Sequence, residues 1–257
     1  MLAEPRSGTS LSPVTNSRLA RSQKVAAGEL RARPGRQTTP SAAPGFQSLG
    51  ESARGPALLY VPETAGAGPL PLVLMLHGAG GVAQHSIDLL CPHADKFGFV
   101  VLAPTSAEQT WDIIAGHRFG SDSGTIDRLL EQVFSQCMID PSRLAIAGFS
   151  DGASYALSIG LMNGDLFSNV IAFSPGFMAP SRTRGTPEIY ISHGTDDDIL
   201  PIDRCSRRIE AQLRAASYVV DYREFPAGHI VPEPVATAFF SALVHEDPWA
   251  PSSLDRL

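Results

Sequence analysis

The chain has 257 residues, 43% of them hydrophobic and 18% charged, with a formal net charge of −6. That length suffices for one α/β domain with a sizeable core, and the composition excludes global disorder. No apolar run reaches the roughly 18 residues of a membrane span, and the acidic balance argues against nucleic acid as a partner of the whole chain.

The charge is unevenly spread. Residues 1–50 hold seven basic and two acidic side chains, a net of +5, while residues 51–257 hold 13 and 24, a net of −11. Residues 1–27 are rich in Ser, Thr, Arg and Ala and lack any helical or strand period, so they read as a disordered basic tail. They contain no continuous apolar stretch of a secretory signal. Their Arg- and Ser-rich, acid-poor composition is that of an organellar transit peptide, but Pro5, Gly8 and Pro13 interrupt an amphipathic helix; a floppy extension or a misassigned start fits better. Cys91, Cys137 and Cys205 are an odd, sparse set without disulfide or zinc spacing. With no targeting signal and no paired cysteines, the cytoplasm is the default location.

From residue 28 onward strands and helices alternate. Gly28–Arg33 is expected as a first edge strand before Pro34. Ala57–Val61 and Leu72–Leu76 are apolar strand runs. Gln84–Phe97 has helical spacing, Phe99–Ala103 is a strand stopped by Pro104, and Ser121–Met138 is an amphipathic helix. Arg143–Ala147 is a strand, Gly152–Met162 a helix, and Val170–Phe173 and Ile189–Ser192 two more strands. Ile202–Ala215 is a helix, Val219–Phe225 a strand and Val231–His245 a last helix. Apolar strand runs alternating with helices predict a mostly parallel sheet joined by crossovers, with helices on both faces. In such sheets chemistry collects beyond the carboxyl ends of the strands.

Gly148-Phe149-Ser150-Asp151-Gly152 is a G-x-S-x-G between a predicted strand and a predicted helix. A serine on that tight turn exposes its hydroxyl, with the free amides of the helix start beside it. The alternative is an ordinary glycine-rich turn; the flanking elements favour a nucleophile. Serine needs a base, and the base an orienting acid. Three histidines follow. His229 lies in Pro226-Ala227-Gly228-His229, just past a strand, and is the expected base. His193 ends a strand and is expected to bond the acid loop, and His245 is expected at a solvated helix end. The acid comes from Asp196, Asp197 or Asp198, and the spacing does not choose among them. His77-Gly78-Ala79-Gly80-Gly81 follows a strand and can present a backbone amide, so Ala79 and Asp151 form the candidate oxyanion pair.

HGAGG at 77–81, GFSDG at 148–152, HGTDDDILP at 193–201 and GH at 228–229 occur in the order of α/β-hydrolase serine esterases. Over about residues 28–245 the chain resembles their phospholipase/carboxylesterase branch, and is similar to polyhydroxybutyrate-depolymerase-like and feruloyl-esterase-like enzymes. The resemblance implies an α/β-hydrolase fold, and the short, Pro/Gly-rich stretch Ser174–Glu188 between two predicted strands shows no large cap domain. Its H-G-x-x-D-x-x-V-P segment selects Asp197, with Leu200 in place of the usual Val, and supports Ser150 and His229 as the other triad members. Asp151 stands where many members have Gly or Gln.

The implied activity is a serine carboxylester hydrolase with an acyl-enzyme intermediate, requiring no metal or organic cofactor. Its expected partner is a small, aryl (feruloyl-type) or polymer ester. A thioesterase or small peptidase would use the same machinery, an acyltransferase or lyase the same scaffold, and a catalytically dead binding protein is disfavoured by the intact residue set. Trp111, in the long 105–120 loop, and Phe177 are candidate substrate-binding residues, with anchoring of the loop as the alternative for Trp111. Arg204, Arg207 and Arg208 are expected as a surface ion-pair face. The expected division is a tail at 1–27, a catalytic domain at 28–246 and a C-terminal tail at 247–257.

Overall fold

A computed structural model describes residues 22–25, 27–35, 42–50, 52–64, 66 and 68–244. The expected C-terminal tail, His245 and most of the expected basic tail lie outside the described residues.

Eight strands form one sheet: β1 Gly45–Leu49, β2 Ala57–Val61, β3 Leu70–Leu76, β4 Val100–Ala103, β5 Ile139–Phe149, β6 Asn169–Phe173, β7 Glu188–Gly194 and β8 Val220–Phe225. Their spatial order is β1-β2-β4-β3-β5-β6-β7-β8. The pairs β1–β2 and β2–β4 are antiparallel and all others are parallel. The helices are α1 Ala83–Phe97, α2 Asp112–Ala115, α3 Ser121–Gln136, α4 Asp151–Met162, α5 Ser206–Ala215 and α6 Glu233–Val244, with a 3-10 turn at Ile202–Arg204. Among the described residues no helix is long and apolar enough to cross a membrane.

Strand periodicity sorts the core into two layers. Leu72, Leu74 and Leu76 of β3 face one side with α3, α4 and α5. Val73 and Met75 face the other with α1 and α6. Successive strand side chains alternate between faces, so a strand apolar at every position must be covered on both. This is the layered, mostly parallel sheet expected from the sequence. Between β6 and β7, residues 174–187 contain no helix and no strand longer than a single bridge, so no cap domain is inserted there.

Three expectations change. Gly28–Arg33 is not a strand; the edge strand is β1, which the sequence reading missed. The β1 run GFQSL alternates intermediate and exposed positions, as an edge strand covered on one side does, so its apolar signal is weak. Residues 28–33 are instead held by side chains: the Leu30 amide donates to Asn163 Oδ1 at 2.8 Å, and the Arg31 and Ala32 amides donate to Asp127 Oδ1 at 2.6 and 2.9 Å. Residues 22–25 are helical, Val25 is buried, and its carbonyl accepts from Ser123 Oγ at 2.7 Å. Finally, the run Ile202–Ala215 is a 3-10 turn followed by α5, broken at Cys205.

Candidate active site

Four loops meet at the carboxyl end of the parallel strands. They follow β3, β5, β7 and β8, and they carry the four sequence motifs.

Ser150 sits between β5 and α4 with φ 58° and ψ −119°, a backbone state that costs a non-glycine residue about 1–3 kcal/mol. The flanking glycines make this turn sterically feasible. A Cβ on Gly148 would lie 2.2 Å from the Gly152 carbonyl oxygen, and one on Gly152 would lie 2.2 Å from the Leu76 carbonyl oxygen. The Ser150 amide is stitched to Phe173 O at 2.9 Å.

Of the three adjacent aspartates, Asp196 and Asp198 are exposed and Asp197 is buried. Asp197 Oδ1 accepts from the amides of Ile199 and Leu200 at 3.0 and 2.8 Å. Its Oδ2 lies 2.6 Å from His229 Nδ1 and 3.1 Å from His193 Nε2. Burial alone would raise this carboxyl; the Leu200 amide, then the hydrogen bond and charge of His229, outweigh it and hold Asp197 below its usual value. His193 is fully buried and its Nε2 lies 2.8 Å from Leu200 O, so it braces the acid loop. Its burial lowers its pKa. The His229 ring packs on Phe149, the neighbour of Ser150, with centroids 4.7 Å apart. Among the described residues no hydrogen bond joins His229 to Ser150; such contacts often tighten only with substrate.

The HGAGG loop lies against the serine: a Cβ on Gly78 would come within 3.4 Å of Ser150 Cβ. The amides of Gly80 and Gly81 are occupied by Gln109 O and Gly78 O, at 2.7 and 3.0 Å. The amides of Ala79 and Asp151 donate to no acceptor among the described residues. The Asp151 carboxylate accepts from Thr110 Oγ1, so it is engaged at its own loop.

This loop is braced by side-chain bonds that the sequence does not announce. His77 Nε2 accepts from the Ser106 amide at 3.0 Å, which leaves Nδ1–H to donate to Gly78 O at 2.8 Å. Burial pushes the His77 pKa down to about 4, so the ring stays neutral as this pattern requires. Arg54, from the β1–β2 turn, donates to Gly80 O, Gly81 O and Ser106 Oγ at 3.2, 2.9 and 2.9 Å. No local pattern marks Arg54, because its partners are 26–52 residues away. Asp112 and Asp122 cross-brace the 105–122 loop: Asp122 accepts from the amides of Ala107 and Asp112, and Asp112 from those of Gly120 and Asp122.

The two candidate substrate-binding residues separate. Phe177 is partly exposed and lines a cavity beside α4. Trp111 is 1% exposed, its indole N–H donates to His77 O at 2.9 Å, and its ring packs between His77 and Tyr155. It anchors the 105–120 loop beneath the HGAGG turn. The helix-face arginine expected at a surface pairs there: Arg207 bonds Asp203 and Glu224.

A family model described as phospholipase/carboxylesterase matches residues 116–235. Acetylxylan esterase A of Emericella nidulans is 27% identical over 124 residues, 45% of this chain and 40% of that protein. Probable feruloyl esterase C of Aspergillus niger is 27% identical over 154 residues, 56% of each chain. The chain thus spans about half the length of the curated relatives it matches. The crystal structure of esterase PE8 superposes with a TM-score of 0.61 over 77% of this chain and 99% of that one, at 21% identity, a likeness of fold. Residues 116–235, which contain Ser150, Asp197 and His229, match the phospholipase/carboxylesterase model, within an α/β-hydrolase-like fold.

Proposed function

We propose that the protein is a serine carboxylester hydrolase acting through Ser150, His229 and Asp197. The observation that carries this reading is the 2.6 Å bond between Asp197 and His229, with the His229 ring packed at a tilt on Phe149 beside the strained Ser150 turn.

Ser150 Oγ attacks the ester carbonyl carbon while His229 Nε2 takes its proton. Asp197 holds Nδ1–H and stabilises the imidazolium. The unengaged amides of Ala79 and Asp151 receive the oxyanion, where each donor is worth roughly 10²–10³-fold in rate. His229 then protonates the leaving alcohol, and water repeats the sequence on the acyl-enzyme. The chain's own groups complete the cycle, with no cofactor in any step. The relatives named as acetylxylan and feruloyl esterases favour small acyl or aryl esters as substrates.

Labelling with a fluorophosphonate probe tests the reading. The wild-type chain reacts and Ser150→Ala does not, with ester hydrolysis falling by at least about 10³-fold in the variant. Labelling that survives Ser150→Ala overturns the assignment.

A further inference from the structure

A mainly apolar cavity of about 720 Å³ opens beside α4, the helix that begins at Ser150. Ile113, Ile114 and Phe119 form one wall, Phe177 and Ala179 a second, and Ala27 a third. The cavity is tied to the nucleophile by short links. Ser154, one helical turn beyond Ser150, accepts from the amides of Gly176 and Phe177 at 2.9 and 3.4 Å, and Ser158 accepts from that of Ala179 at 2.9 Å.

The third wall belongs to a strap, residues 27–33, that precedes β1 and crosses α3 and α4. Gly28 has φ +83°, and a Cβ there would lie 2.9 Å from the Phe119 ring, so the strap lies flush against that wall. Asn163 receives the Leu30 amide and donates to Gly28 O, both at 2.8 Å. Glu29 pairs with Arg182 and with Arg184, so one carboxylate latches the strap to the loop carrying Phe177 and Ala179. Leu30 and Ala32 are 2% exposed. Strap and loop therefore hold their positions together.

We propose that this strap is a specificity-determining wall: it closes a subsite for the bulky aromatic or branched apolar group of an ester attacked at Ser150. A concave, mainly apolar site of this volume suits such a group. The proposal rests on the reading of Ser150 as the nucleophile. The apolar group sits on either the acyl or the alcohol side, and the substrates below separate the two.

The test uses the full chain and Ala27→Trp, which fills the cavity from the strap. Values of kcat/KM are compared for ethyl acetate, methyl cinnamate and 2-phenylethyl acetate. The expected result is that one of the two aromatic esters loses about tenfold or more relative to ethyl acetate, in the range that pocket shape commands. Loss of methyl cinnamate turnover places the acyl group in the cavity, and loss of 2-phenylethyl acetate turnover places the alcohol there. Ile114→Trp, from the opposite wall, repeats the test should Ala27→Trp fail to fold, and Glu29→Gln produces a smaller shift of the same ratio. Unchanged ratios in both tryptophan variants, with Ser150 still labelled by fluorophosphonate, overturn the subsite. A wild-type chain that the probe does not label sinks the esterase reading itself.

Discussion

On one side of Ser150 the 77–81 loop is held by polar contacts from separate parts of the chain: Arg54, Ser106, Gln109 and Trp111. On the other side the cavity beside α4 is walled mainly by apolar side chains and a latched strap, with His117, Arg118 and Ser181 also in its lining. Under the proposed reading, the difference follows from what each side has to do. Developing negative charge is stabilised only by donors already in place, so the loop amides are fixed by directional bonds. An apolar group is selected by shape, so the opposite side needs walls rather than donors.

Asp197→Asn is expected to have the largest effect on the polar side. It leaves the packing nearly unchanged but no longer enforces the Nδ1–H tautomer of His229, so kcat falls by about 10³–10⁴-fold. Steady-state kinetics on a simple ester checks this, and full retained activity would move the acid to a neighbouring carboxylate.

Arg54→Ala comes next. It frees the Gly80 and Gly81 carbonyls, and kcat is expected to fall about tenfold with KM nearly unchanged, because an oxyanion donor acts in the transition state. Arg54→Lys recovers little of this, since a lysine lacks the planar fork that reaches both loops. A change confined to KM would place Arg54 in substrate binding, and the contrast between the two sides would then weaken.

The third effect is on acid stability rather than on rate. His77 has its folded pKa lowered to about 4 by burial, below the unfolded value of 6.5. The unfolded chain therefore binds more protons between these values. The His77 contribution is complete above pH 6.5 and lost as pH falls towards 4, up to about 3 kcal/mol. Asp122 has the opposite sign. Its burial, reinforced by the Asp112 charge, raises it to about 6, so its penalty is relieved as pH falls from 6 to its unfolded value near 4. Urea unfolding at pH 7 and pH 4.5 is expected to show that His77→Gln gains stability relative to wild type on acidification. Parallel pH profiles for the two proteins would remove His77 from the account.

Much of the site was legible because its groups stand in short contiguous motifs at strand ends. Ser150 between its two glycines announces a strained turn, and His229 announces a loop after a strand. The choice of Asp197 came from family resemblance, since three adjacent carboxylates look alike in one dimension; burial distinguishes them only after folding. Trp111 and Phe177 were equally plausible pocket residues, and packing separated them.

Alternating apolar runs determined the layered, mostly parallel sheet, since strand and helix periods are local properties of the chain. Only tertiary structure decided the edge strand β1, the Arg54 clamp, the crossed Asp112 and Asp122 bonds and the strap over α4. Each depends on partners distant in sequence, and residues 28–33 satisfy their backbone through the Asp127 and Asn163 side chains rather than a neighbouring strand. No local period encodes such a contact, because it exists only once the sheet has brought those side chains within hydrogen-bond reach.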